Sequence, residues 1–143
     1  MNSPILAPAA VLALWSLIIL FWVMATRFKA FSNAGIKLGS APAGGRYQDL
    51  ESHLPASTNW KSHNFVHLME QPTVFYATVI VLALAGQGEG LNLNLAWAYV
   101  LLRVVHSFWQ GLINTIPVRF ALYLLSTLCL LVMAINAVRA TVL

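Results

Sequence analysis

Apolar positions along the chain fall into four long blocks divided by polar punctuation. The blocks predict membrane-spanning helices over residues 4–26, 64–85, 93–113 and 117–140, each near the ~20 residues that cross a bilayer. Ser3 before Pro4 predicts an N-cap with proline at the first helical position, and Pro117 opens the last block in the same way. The first block is not read as a cleaved leader: it is too long, no Lys or Arg precedes it, and no small-residue cleavage motif follows before Arg27. Between residues 27 and 62 the apolar pattern stops. Gly35, Gly39, Pro42, Gly44, Gly45 and Pro55 punctuate a long loop, in which Tyr47 to His53 predicts a short interfacial helix. The later connections are short, so spans two, three and four are antiparallel neighbours. The expectation is one domain over residues 1–143, an all-α membrane protein built as a four-transmembrane-helix bundle.

Composition agrees. The chain is 59% hydrophobic and 8% charged, with a mean hydropathy of +0.76. Soluble domains carry about 25% charged residues, so a water-facing globule and a disordered chain are both excluded. Eight Lys and Arg against four Asp and Glu give +4. No basic cluster with interleaved aromatics occurs, and no nucleic-acid partner is expected. The cations mark topology instead: Arg27, Lys29, Lys37, Arg46 and Lys61 share the first loop, Arg119 lies at the same membrane side, and Arg139 alone dissents. Positive residues favour the cytoplasmic side, which predicts a cytoplasmic loop over 27–62 and termini facing away from the cytoplasm. The single Cys129 offers no disulfide or cysteine metal motif.

Ionisable groups inside a span cost about 2.5–3.5 kcal/mol each and call for a reason. Spans one and four have apolar middles; two and three do not. His63, His67 and Glu70 recur at one helical face of span two, beside a stripe of Asn64 and Gln71. Arg103, His106 and Gln110 do the same on span three. From the helical rise, Glu70 and His106 each lie roughly 12 Å into the membrane from the loop side. That depth predicts that the two stripes face each other and that Glu70 pairs with Arg103. One reading is a structural ion pair that fixes helix register. The other is a polar cavity open to the loop side, suited to an anion, with Arg119 at its mouth. A His and Glu metal site and a haem site are set aside, since the spacing is loose and no supporting carboxylate is evident. A proton-coupled carrier is set aside because the first span carries no charge in its membrane part.

Two stretches resemble the MAPEG family (membrane-associated proteins in eicosanoid and glutathione metabolism). One runs from His63 through His67 and Glu70 to Pro72, like the family's span-two signature. The other runs from Arg103 and His106 through Pro117 and Arg119 to Tyr123. The resemblance covers nearly the whole chain and implies a MAPEG-like protomer of a homotrimer in a bacterial inner membrane. It further implies glutathione as co-substrate between adjacent subunits, with a lipophilic small molecule arriving from the bilayer and a transferase or peroxidase activity. Carried over by position, Glu70 would hold the amino group of glutathione, and Arg103, His106 and Tyr123 would line the site. Arg119 would stabilise the thiolate as the catalytic residue, and His63, His67 and Gln110 stand where the transferases have arginine, asparagine and tyrosine. That weakened anion grip keeps a second expectation open, a non-catalytic lipid-binding or scaffold protein of the same fold.

Overall fold

The computed structural model describes residues 3–142 apart from Leu38 and Ala41. Four long helices carry the fold: α1 (Leu6–Asn33), α2 (Ala56–Leu84), α3 (Gly90–Leu112) and α4 (Ile116–Val142). A 3-10 helix, Tyr47–His53, lies in the long loop, where the sequence predicts a short helix. All described regular structure is helical, and α1, α2 and α4 are long and apolar enough to cross a membrane. α3 falls short by composition because Asn92, Asn94, Arg103, His106 and Gln110 dilute it. At ~1.5 Å per residue its span of roughly 34 Å still exceeds a ~30 Å hydrocarbon core. α3 hides its polar side chains inward, since Asn92, Arg103, His106 and Gln110 are all buried.

Both helices that flank the loop outrun their apolar blocks. α1 continues to Asn33 and α2 begins at Ala56, eight residues before the apolar signal. Hydrophobicity reports only the lipid-immersed part of a helix; the polar turns project beyond it. The predicted Ser3 cap is not used: α1 starts at Leu6 and its N-cap position is Ile5.

The core follows the helical period. α2 buries Asn64, Leu68, Pro72, Phe75, Val79 and Leu82 along one stripe, and Phe75 stacks on Tyr99 of α3 with ring centroids 4.3 Å apart. Packing between α3 and α4 is the most extensive, followed by α1 on α2. Lipid removes the hydrophobic drive between helices, so close packing and interhelical hydrogen bonds hold such a bundle, at about 0.6 kcal/mol per bond. Two such bonds pass through Gln71, which accepts from Tyr99 Oη at 3.3 Å and donates to Thr127 Oγ1 at 2.7 Å. At the loop end Gly111 lets the Trp22 ring of α1 press on α3; a Cβ there would lie 2.7 Å from the ring.

The α3–α4 turn sets up the site. Asn114 takes φ +60°, a left-handed conformation that asparagine tolerates better than most residues. Its N–H caps Trp109 O at 2.7 Å, and its Oδ1 accepts from Arg119 Nη1 at 2.7 Å. Pro117, without an N–H to satisfy, sits in the first turn of α4.

Candidate functional site

The stripes of α2 and α3 do meet, at a seam between the helices. Gln110, 1% exposed, lies 3.1 Å from both His67 Nδ1 and His106 Nε2 through its Oε1. One turn deeper than His106, Arg103, also 1% exposed, donates from Nη2 to the main-chain carbonyl of His67. Its guanidinium is set between the rings of Tyr99 and Tyr123, 6.0 and 5.6 Å from their centroids. The Tyr123 ring also lies 6.3 Å from that of His106. Thus His67, Arg103, His106, Gln110 and Tyr123 gather around one point, with Arg119 turned toward the same end by Asn114.

Glu70 and His63 do not join that seam. Among the described residues Glu70 makes no ion pair; the expected contact with Arg103 is not formed within one copy of the chain. The depth reading holds, since α2 and α3 meet at the predicted level, but the azimuth differs. Asn64, Leu68 and Gln71 point at the other helices, and Glu70, rotated ~100° from Gln71 at 100° per residue, is exposed on the outer side. His63 likewise turns outward and lies 3.2 Å from Glu51 of the 3-10 helix.

These two residues line a separate cleft of about 310 Å³ beside the seam, with Arg27, Tyr47, Ser62 and His67. The loop closes over it through a specific lattice. Tyr47 Oη donates to Asn59 Oδ1 at 2.7 Å, Asn59 Nδ2 donates to Glu51 O at 2.9 Å, and Arg27 Nε donates to Ser62 Oγ at 3.1 Å. The Arg27 guanidinium covers the Tyr47 ring at 3.6 Å. Sequence reading assigned Arg27 to topology alone and missed this role. The available signal was its place at the end of the apolar block, level with the start of α2. His67 is the one candidate that belongs to both seam and cleft.

The seam is short of partners. Arg103 Nε and Nη1, His106 Nδ1, Ser107 Oγ and both amide atoms of Asn64 are buried with no hydrogen-bond partner. Buried polar atoms are nearly always paired, and each exception needs an explanation. Among the described residues no carboxylate lies within ion-pair distance of Arg103. The unpartnered guanidinium therefore suits an anion, with hydroxyl, amide and imidazole edges beside it for further hydrogen bonds. No three His, Cys, Asp or Glu side chains among the described residues are placed to hold a metal ion.

Neither the curated proteins nor the solved structures provide a match to this chain. The MAPEG family model, however, matches residues 5–139, nearly the entire bundle. With four helices, a polar seam on α2 and α3 and an arginine opening α4, this integral membrane protein belongs to the MAPEG family.

Proposed function

We propose that the chain binds glutathione or a related thiol at the loop end of the bundle and uses it to conjugate or reduce lipophilic electrophiles. The observation that carries this reading is Arg103: a buried guanidinium with two unpartnered nitrogens and, among the described residues, no carboxylate beside it. Leaving a buried charge uncompensated costs about 3–5 kcal/mol; an anionic ligand offsets that cost. Glutathione carries two carboxylates, and Arg119 nearby favours a thiolate over a thiol at its sulfur. His63, His67, His106, Gln110 and Tyr123 supply further edges for hydrogen bonding. Glu70 supports the assembly: a carboxylate at membrane depth facing lipid would cost about 2.5–3.5 kcal/mol. A neighbouring copy in a homotrimer, with the ligand's ammonium group between them, relieves it. The cation-rich loop favours a cytoplasmic position for this end, in a bacterial inner membrane.

A lipid-binding or scaffold role is favoured by one detail. His63, in the position of a permanent cation in the transferases, is engaged by Glu51 and grips an anion less well. Two measurements on the purified chain in detergent separate the readings. The enzymatic reading expects glutathione to raise the melting temperature, by about 2.7 kcal/mol of added stability at a hundredfold excess over Kd. It also expects thiol-dependent turnover that falls about 10²-fold or more in Arg119→Ala. No thermal response to glutathione together with co-purified lipid would establish the scaffold reading instead.

A further inference from the structure

His67 and His106 converge on a single atom, Gln110 Oε1, each at 3.1 Å. An amide oxygen offers only lone pairs, so both rings must donate to it: His67 through Nδ1–H and His106 through Nε2–H. The reversed amide would move each ring hydrogen to the other nitrogen. For His106 that nitrogen is Nδ1, which is buried without a partner. Reversal would bury an orphaned N–H, and orphaned donors are rarer in folded proteins than bare acceptors. The amide orientation and both tautomers are therefore fixed by the same burial. With Nδ1–H committed to Gln110, His67 keeps an unprotonated Nε2, and His67 lines the cleft that holds Arg27, Ser62, His63 and Glu70.

We infer that His67 Nε2 is the base that takes the proton from the thiol substrate. The inference rests on the thiol-using function proposed above. In the step, the S–H proton moves to Nε2 while Nδ1–H stays on Gln110. The sulfur electron pair then forms an S–C bond to the β-carbon of an activated alkene, whose π electrons move to the α-carbon and its activating group. The proton on Nε2 returns to that carbanion, so thiol and alkene become a thioether with nothing left over. Arg119 and His67 divide the work: a permanent cation favours the negative sulfur, and a histidine stores the proton. The charged and titratable groups around His67 are Glu70 and His63 on α2, Arg103 and His106 on α3, and Arg119 on α4. Arg27 of α1 and Glu51 of the 3-10 helix face it across the cleft.

The test counts protons. Glutathione is titrated into the full chain in detergent, in buffers of different ionisation enthalpy, while thiolate is followed by its ultraviolet absorbance. Wild type is expected to bind glutathione, form thiolate and release no net proton, because His67 retains it. His67→Gln is expected to bind glutathione with a lower thiolate yield and with turnover down about 10²-fold, the usual worth of a positioned base. Gln110→Glu, a conservative change that places a carboxylate on Nδ1–H, strengthens the base and moves the acidic limb of the rate profile to higher pH. Three results overturn the inference and leave the proposed function standing: one proton released per thiol bound by wild type, binding without thiolate, or equal thiolate in His67→Gln. Failure of wild type to bind glutathione overturns the proposed function and this step with it.

Discussion

The two ends of the α3–α4 packing bury polar side chains in opposite ways. At the end remote from the long loop, Asn136 Nδ2 donates to Asn92 Oδ1 at 2.8 Å, and Asn92 Nδ2 donates to Gln87 O at 2.9 Å. No atom of that pair is left buried without a partner. At the loop end, Arg103, His106, Ser107 and Asn64 keep buried atoms unpartnered. A closed network rigidifies a bundle, whereas an open one is a stored cost. The remote end is a clasp; the loop end is built for something else to complete it.

The largest expected effect breaks this contrast most sharply. Arg119→Ala should lower thiol-dependent turnover about 10²-fold or more, while Asn136→Ala should leave kcat unchanged in the same assay. Equal losses in both would erase the distinction between the ends. Next in size, Arg103→Met should abolish glutathione binding yet stabilise the unliganded chain. Replacing even a buried ion pair by apolar side chains of similar volume is often neutral or stabilising by about 1–4 kcal/mol, and a buried ion without a counter-charge has less to lose. Reversible unfolding in detergent reads that gain, and a loss of stability would mean that Arg103 is already paired. Gly111→Ala should destabilise by about 1–3 kcal/mol, because the new methyl meets the Trp22 ring; unfolding and binding measured together would show the second unaffected. Smallest, Asn136→Ala should cost about 0.6–1.7 kcal/mol of stability, the range for a hydrogen bond between membrane helices.

The sequence made much of this legible, by two different routes. Helical rise alone set the depth, and the polar stretches of α2 and α3 do overlap along the membrane normal, with His67 meeting Gln110 and Arg103 reaching the His67 carbonyl. Azimuth was harder. His63, His67 and Glu70 share a broad face, but the seam passes along Asn64, His67 and Gln71, and a rotation of one residue decides which side chains it includes. Periodicity marks a face as polar without saying whether a neighbouring helix, a ligand or another copy covers it. The cleft wall was legible only in part. Tyr47–His53 was expected as a helix, but the bonds from Arg27 to Ser62 and from Tyr47 to Asn59 join residues far apart in sequence. No spacing rule reaches them. α2 also starts well before its apolar block because a helix in a membrane protein need not end where lipid does.

One measurement tests the central claim most directly: an experimental structure of the assembled protein with glutathione. The account predicts a ligand carboxylate on Arg103 Nε and Nη1, with the sulfur between His67 Nε2 and Arg119. It would be contradicted if Arg103 were bonded to Glu70 of a neighbouring copy and the seam held no ligand.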